Sequence, residues 1–194
     1  MVQARLRFKN FEEYLLVNPE DLPEGRYEYV EGELVDLMPE GEESEWIANY
    51  LFLLLTQAGI VAPRLIRPGR CEIEVPGVPR TRFPDLVILD EAHLELTKRR
   101  LTITADMPPP RLVVEVVSPG KKNRKRDLED KRRQYQSRGI PEYWLIDPEQ
   151  QQVSVLHLTG DNYVESGVFQ GGDRVNSPSF GLLPFTAEQV LAGQ

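Results

Sequence analysis

Hydrophobic and polar residues follow one another along this chain in a pattern that predicts a mixed α/β fold. Short apolar runs of strand length alternate with segments of helical character, and turn-forming residues separate them. The predicted order is a short helix (11–17), a hairpin, a long helix, three strands, a second helix, a strand, a second hairpin and a short final helix (187–191). This order predicts a central mixed sheet flanked by helices.

Two hairpins are predicted, one near each end of the chain. RYEYV (26–30) and ELVDL (33–37) are separated by a glutamate and a glycine, which is typical of a tight turn. VSVLHL (153–158) and NYVES (162–166) are separated by Thr-Gly-Asp and form the second hairpin.

The two longer helices are predicted from caps and apolar residues. Ser44 is a good N-cap, and Gly59 is a good residue to follow a helix end. The segment WIANYLFLLLTQA between them is apolar on nearly every side, so we expect neighbours on both flanks and Trp46 in the core. The second helix is predicted over about 127–137.

Four strands are predicted in the middle of the chain. CEIEV (71–75) alternates, FPDLVILD (83–90) is mostly apolar, and RLVVEVV (111–117) is apolar except for one glutamate. The long apolar runs, and EYWLID (142–147), suit inner strands that are covered on both faces. About twenty residues before the triple proline at 108–110 have no clear pattern. We expect a surface insertion there, with one short strand at LTIT (101–104).

Composition is that of a soluble globular protein, with 194 residues, 40% hydrophobic and 28% charged. No internal repeat or long linker divides the chain. We therefore expect one domain over 1–194, with an N-terminal helix and hairpin at about 8–38, a core at about 44–147 and a C-terminal hairpin and helix at about 153–192.

Cysteine and histidine content limits the metals that the chain could hold. Cys71 is the only cysteine, and His93 and His157 are the only histidines, which excludes a thiolate zinc site and argues against a histidine-rich one. A hard, oxygen-liganded ion such as Mg²⁺ or Mn²⁺ remains. The N-terminus has no secretory signal pattern and no apolar run reaches membrane-spanning length, so we expect a cytoplasmic protein with no membrane partner.

The net charge of −8 argues against a protein that coats nucleic acid without specificity. One basic segment stands out at 121–133, KKNRKRDLEDKRR. A solvated helix start is the plain interpretation of such a segment. As a nucleic-acid contact, it would act through the side chains that come first: Lys121, Lys122, Arg124, Lys125 and Arg126.

Two carboxylates interrupt apolar strands. Glu115 lies inside LVVEVV, and Asp85 lies near the start of its own strand. A buried ionised carboxylate costs several kcal/mol unless a cation or several donors compensate it. Each residue alone could cap a turn or pair with an arginine. Together, on neighbouring strands in register, the two could face one side of the sheet and hold a divalent cation.

A lysine of the second helix is also oriented toward the core. Lys131 lies between Leu128 and Tyr135, which mark the apolar face of that helix. It could extend along apolar surface to solvent, or it could direct its charge at the cation site. Asp127, one turn earlier, could fix the lysine or cap the helix. These parts together indicate metal-assisted phosphodiester hydrolysis, with Lys131 stabilising the transition state.

Five segments carry a family resemblance: RYEYVEGELVDLMP, FPDLVIL, LVVEVVSPG, RDLEDKRRQY and GIPEYWLIDP. In this order they resemble the signature blocks of the Uma2 (DUF820) family of the PD-(D/E)XK nuclease superfamily. The resemblance implies a restriction-endonuclease-like core and a DNA endonuclease. It makes Asp85 the PD aspartate and Glu115 the second acid. A homodimer would fit, because many nucleases of this fold cut two strands with paired sites.

One position departs from the superfamily motif. The lysine expected two residues after the second acid is replaced by Val117, and Lys131 of the following helix takes its place. A histidine that the family often has near the first helix is absent. Glu43, Glu45 or Glu28 could supply a further acidic ligand.

Two functions remain open at the level of sequence. The first is a Mg²⁺- or Mn²⁺-dependent endonuclease, and the second is a nucleic-acid-binding or regulatory module on the same scaffold. A cleft shared by Asp85, Glu115 and Lys131 would favour the nuclease. A solvent-directed Lys131, or a Glu115 paired with arginine, would favour the binding module.

Overall fold

Six strands form the central sheet of the computed structural model, which describes residues 6–39 and 41–192. In sheet order they are β11 (Asn162–Gln170), β10 (Gln152–Thr159), β9 (Glu142–Asp147), β8 (Leu112–Val116), β6 (Leu86–Ile88) and β3 (Ile66–Pro68). β8 and β9 run parallel, and the other neighbouring strands are antiparallel. The predicted mixed central sheet is confirmed.

Smaller sheets accompany the central one. They are a hairpin of β1 (Tyr27–Val30) and β2 (Glu33–Asp36), a three-stranded sheet of β4 (Glu72–Glu74), β5 (Thr81–Arg82) and β7 (Thr102–Ile103), and a hairpin of β12 (Arg174–Ser177) and β13 (Gly181–Thr186). Both predicted hairpins are present, because β10 and β11 form the second.

Helices lie before, between and after these strands. They are α1 (Phe11–Leu16), α2 (Glu42–Gln57), α3 (His93–Leu96), α4 (Lys121–Lys125), α5 (Arg132–Ser137) and α6 (Ala187–Ala192), with short 3₁₀ turns at Pro19–Asp21 and Pro63–Leu65. A π-helical segment, Arg126–Lys131, joins α4 to α5 without a break. Within the described ranges, no helix is both long enough and apolar enough to cross a membrane.

The turn of the first hairpin depends on a glycine. Glu31 and Gly32 both have positive φ, 47° and 89°, as a two-residue hairpin turn with the favoured twist requires. A Cβ at Gly32 would lie 2.5 Å from the backbone oxygen of Phe8. The backbone therefore approaches too closely for any other residue, and this contact fixes the N-terminal segment against the hairpin.

The main core forms around the central sheet. Every residue of β8 and of β9 is buried, as the uninterrupted apolar pattern predicted. Ile47, Leu51 and Leu55 of α2 belong to the same core cluster. This burial holds β8, which carries Glu115, rigidly in the middle of the molecule.

The start of α2 differs from the prediction. The helix begins at Glu42 with Gly41 as its N-cap, so Ser44 lies inside the first turn and does not cap it. Its end is as predicted, because Gly59 has φ of 67° and the amide of Ile60 donates to the carbonyl of Leu55.

The prediction that Trp46 lies in the core is wrong. Its side chain is 50% exposed and stacks on Tyr50, with ring centroids 6.3 Å apart. The reason is that neighbours cover only one face of α2, where the buried residues lie, and leave Trp46 and Leu53 outside. An apolar sequence on all sides thus overstated the burial of this helix.

The segment before the triple proline lies largely at the surface, but part of it is built into the core. Its strand β7 is present as predicted but pairs with β4, and Ile103 is fully buried. Its helix α3 was not predicted, and the buried His93 lies there with Nε2 2.8 Å from the carbonyl oxygen of Pro108. The segment therefore contributes to the core.

Candidate active site

Asp85 and Glu115 face each other across two central strands. β6 and β8 pair antiparallel with Leu86 opposite Val114, so extending the register by one residue puts Asp85 opposite Glu115. Both side chains are buried, at 7% and 1% exposure. The backbone amide of Val116 donates to Oδ2 of Asp85 at 2.6 Å. The two carboxylates thus lie on one face, in a geometry fixed by the sheet.

Glu115 is held by two side chains from the helix that follows β8. Nζ of Lys131 lies 2.6 Å from Oε2, and the hydroxyl of Tyr135 donates to Oε1 at 2.6 Å. Lys131 and Tyr135 are four residues apart, so they project from the same side of the helix. Each oxygen of the buried carboxylate therefore has a donor.

Asp127 completes the cluster from the π-helical segment. Its Oδ1 lies 3.3 Å from Nζ of Lys131 and 2.9 Å from Nε of Arg126. The backbone amide of Ser118 donates to Oδ2 at 3.2 Å. Asp127 thus fixes the lysine and also the loop that leaves β8.

Charge states in this cluster follow from burial and from pairing. Burial raises the pKa of Glu115 above its usual range, although Lys131 and Tyr135 act in the opposite direction. Burial alone would lower the pKa of Lys131, but Glu115 and Asp127 outweigh it and raise that pKa. Burial opposes the charge of Asp127, but Lys131 and Arg126 outweigh this effect and lower its pKa. Lys131 is therefore a protonated cation among carboxylates.

A cleft of about 610 Å³ opens over this cluster and is called the catalytic cleft below. Asp85, Glu115 and Lys131 all line it. Its acidic side chains outnumber its basic ones among the described residues. The acidic ones are Glu28, Asp36, Glu42, Glu43, Asp85 and Glu115, and the basic ones are Arg26, Arg126 and Lys131.

The three candidates for a further acidic ligand occupy different places. Glu28 lines the catalytic cleft and is held by a partly buried ion pair with Arg82 at 2.7 Å. Glu43 lines the same cleft from the exposed first turn of α2. Glu45 instead lines a second cavity on another side of Asp85. The structure thus brings Glu28 and Glu43 to the cleft and leaves Glu45 outside it.

The basic side chains at 121–126 divide into two groups. Arg124 forms a two-pronged contact with Asp147, at 2.6 and 3.1 Å, and Lys125 lies 3.4 Å from Asp130. Arg126 pairs with Asp127, as described above. Lys121 and Lys122 are exposed and have no carboxylate partner in the described part of the chain. These two lysines are the basic charges of this segment that are left to meet a ligand.

A hard divalent cation suits the donors of the cleft. Mg²⁺ prefers carboxylate oxygens, keeps several waters and needs only one or two protein carboxylates, which Asp85 and Glu115 offer. Within residues 6–39 and 41–192, no group of three or more His, Cys, Asp or Glu side chains could hold a metal ion. The donors therefore fit a partly hydrated ion better than one enclosed by protein.

Sequence reasoning missed two residues of the site. The hydrophobic pattern of the sequence marks Tyr135 only as an apolar position and gives no sign of its hydroxyl contact with Glu115. Its spacing of four from Lys131 was a signal that could have revealed it. Arg82 was missed because its partner Glu28 lies 54 residues away, and no local pattern joins them.

Comparison with known proteins agrees with this fold. A family model described as "Uma2: Putative restriction endonuclease" matches residues 11–187. A solved structure, described as "a putative nuclease belonging to DUF820 from Anabaena variabilis ATCC 29413", has a TM-score of 0.60 at 19% identity. The match covers 94% of this chain and 97% of that one, and it shows a shared fold. No curated protein matches the chain. Because the family model spans nearly its whole length, the protein belongs to the Uma2 family.

Proposed function

We propose that this protein is an endonuclease that hydrolyses phosphodiester bonds in DNA with the help of Mg²⁺ or Mn²⁺. The observation that carries the proposal is the position of Asp85 opposite Glu115 on neighbouring strands, with Lys131 in the same cleft. Membership of a family described as "Putative restriction endonuclease" supports the class of reaction. It leaves the metal and the DNA substrate as parts of the proposal.

Asp85 and Glu115 are the residues that would hold the cation. A divalent ion supplies a polarised water and a positive charge near the scissile phosphate. Asp85 is oriented by the amide of Val116, so its carboxylate is fixed before any ligand arrives. Glu28 is the best placed of the further acids, because Arg82 holds it in the wall of the cleft.

Lys131 would stabilise the negative charge that develops on the phosphate. Its side chain is 9% exposed and its ammonium is held between Glu115 and Asp127, so little reorganisation is needed when the charge appears. A lysine in this position, on the helix after the second acid, supplies the cation that Val117 cannot.

Lys121 and Lys122 would contact the nucleic-acid backbone at the start of α4. Both are exposed, and Asn123 and Arg126 of the same stretch line the catalytic cleft. Cations next to the cleft would fix the position of the strand without reading its sequence.

A second candidate function is a nucleic-acid-binding module with little or no catalytic activity. One observation favours it, because both oxygens of Glu115 already have donors in Lys131 and Tyr135. A cation would have to share or displace these donors. This candidate predicts DNA binding without cleavage.

Cleavage of supercoiled plasmid tests the proposal directly. The purified protein is incubated with Mn²⁺, with Mg²⁺ or with EDTA, beside Asp85→Ala and Lys131→Ala. Lys98→Ala is the control, because Lys98 pairs only with Glu95 on the exposed surface. We expect metal-dependent nicking in the wild type and the control, and none in the two site variants.

Two results would count against the nuclease. DNA binding without cleavage under either metal would favour the binding module. Equal cleavage by the wild type and by both site variants would mean that the activity belongs to a contaminant.

A further inference from the structure

Asp85 lies between two cavities. The catalytic cleft is one, and the second also has a volume of about 610 Å³. Both are lined by Asp85, by Arg26 and by residues 37–39. The groove therefore continues past Asp85 instead of ending there. We call the part on the other side the Arg70 arm, after a residue that lines it and does not line the catalytic cleft.

The wall of the Arg70 arm is fixed to Asp85 through the backbone. The amide of Gly69 donates to the carbonyl oxygen of Asp85 at 2.8 Å. The carbonyl of Gly69 accepts from Nη1 of Arg26 at 3.0 Å. Arg70 follows directly in the chain, so its side chain starts from a point that is held beside the catalytic aspartate.

Arg70 has an exposed side chain, and its guanidinium has no hydrogen-bond or ion-pair partner in the described part of the chain. Arg26, by contrast, is already engaged with Gly69. A guanidinium presents a planar fork of donors that matches the oxygens of a phosphate. Arg70 is thus a cation available for an anionic ligand.

The charge of the Arg70 arm also differs from that of the catalytic cleft. The described residues that line the arm include two arginines, Arg26 and Arg70, and two acids, Glu45 and Asp85. Acids exceed bases two to one in the catalytic cleft. A phosphate therefore meets less repulsion in the arm, even when no divalent cation is bound.

We infer that Arg70 binds a backbone phosphate of the substrate strand, on the side of Asp85 away from Lys131. The inference rests on the proposed function, because it takes a nucleic-acid strand as the occupant of the cleft. A strand held at Arg70 and at the 121–122 lysines would pass Asp85 with phosphates on both sides. The contact at Arg70 does not depend on the metal.

Binding of a fluorescently labelled DNA duplex in EDTA, measured by anisotropy over a range of salt concentrations, tests this inference. The slope of log K against log salt concentration is negative, and one lost phosphate contact reduces its magnitude by about 0.9. We expect that change in Arg70→Ala, with weaker binding to all sequences alike. Arg64→Ala is the matched control, because Arg64 is also exposed and lies outside both cavities. It should retain the wild-type slope.

Equal slopes for Arg70→Ala and Arg64→Ala would overturn the inference, and so would the absence of wild-type binding in EDTA at low salt. Urea midpoints equal to that of the wild type show that both variants fold. Plasmid cleavage is scored separately. An Arg70 effect on binding without cleavage means that the proposed nuclease fails while the inference stands, and cleavage without an Arg70 effect means the reverse.

Discussion

Glu115 is a carboxylate in the middle of an otherwise apolar strand, and two donors on one helix face compensate the cost of its burial. Removing an ionised carboxylate from water costs several kcal/mol. Lys131 offsets part of this free-energy cost through an ion pair, and Tyr135 offsets a further part through a hydrogen bond, each at 2.6 Å. Tyr135 touches no proposed ligand, so it acts as a positioning residue for Glu115.

Tyr135→Phe tests this positioning role. The variant keeps the ring and removes the hydroxyl, which leaves Oε1 of the buried Glu115 without its donor, at a cost of about 1–3 kcal/mol. Loss of an outer partner of this kind lowers metal affinity or activity by about 10- to 100-fold. Urea denaturation and plasmid cleavage measure the two effects. Tyr163→Phe is the control, because its buried hydroxyl donates to Ile140 instead.

The pH profile of cleavage separates positioning from general loss of stability. The hydroxyl of Tyr135 acts to lower the pKa of Glu115, so its removal raises that pKa further. Metal binding needs the ionised carboxylate, so the acidic limb of the profile should move to higher pH in Tyr135→Phe and stay in place in Tyr163→Phe. An unmoved limb with reduced stability would assign Tyr135 a structural role only.

The titration of Glu115 should also make the stability of the wild type depend on pH. Its pKa is raised in the folded state, so its contribution to folding is greatest below the pKa of the unfolded state. That contribution is lost as the pH rises through the folded-state pKa. The deficit of Tyr135→Phe should accordingly be larger at neutral than at acidic pH.

The residues of the site differ in how far sequence could predict them. Asp85, Glu115 and Lys131 each interrupt an apolar pattern, so the cost of burying charge marks them without knowledge of the fold. The pairing of Glu28 with Arg82 joins β1 to β5, and only the three-dimensional arrangement of the strands brings it about. Local patterns carry no information on such contacts.

At the scale of elements, the stretch from Lys121 to Ser137 is one helix with a π-helical centre. Its predicted start at about residue 127 was six residues too late. The first turns, KKNRKR, have no apolar face, so hydrophobic periodicity could not reveal them. Arg124 holds this start in place through its contact with Asp147 at the end of β9. A side chain predicted to bind nucleic acid is thus already engaged in a structural contact.

Two variants separate binding from structure in this helix. The double variant Lys121→Ala/Lys122→Ala should reduce the magnitude of the slope of log K against log salt concentration by about two. Each lysine accounts for about one phosphate contact. The urea midpoint should not change. Arg124→Ala should instead lower the midpoint, at a cost of about 1 kcal/mol for a partly exposed pair. If Arg124→Ala changed the salt dependence of DNA binding and the double lysine variant changed the urea midpoint instead, Arg124 would be the nucleic-acid contact.

On the scale of the whole molecule, negative charge gathers where the substrate is proposed to bind. The chain carries a net charge of −8, and the described residues of the catalytic cleft include twice as many acids as bases. A polyanion would be repelled there unless cations enter first. The composition of the cleft therefore favours a metal on physical grounds that are separate from the reaction.

Thermal unfolding with and without Mn²⁺ measures this coupling. At a metal concentration about 100 times Kd, binding to the folded state alone adds about 2.7 kcal/mol. For a chain of this size that raises Tm by about 5–10 °C. Asp85→Asn should abolish the rise, and Asp173→Asn, which lies outside the cleft, should keep it. An equal rise in both variants would place the bound metal elsewhere.

The central strands of the fold could be predicted from the sequence more fully than the short strands around them. The central strands β6, β8 and β9 and the β10–β11 hairpin follow from long apolar or alternating runs. The predicted strand at 71–75 is present as β4, but it pairs with β5 and β7 in a separate sheet. The strand β3 was missed, because it has only three residues and ends in a proline. The hairpin of β12 and β13 was also missed, since its strands lie among glycines, prolines and serines that resemble a loop. Tertiary pairing, and not local pattern, defines these strands.

The parallel pairing of β8 with β9 has a consequence for synthesis of the protein. The helix that carries Lys131 and Tyr135 is the crossover between these two strands, so it is anchored at both ends only when β9 has joined the sheet. Parallel pairs need distant contacts and form late in folding. A chain still emerging from the ribosome should therefore lack an assembled cleft until residue 147 has left the ribosome, and unfinished molecules could not carry out the proposed cleavage.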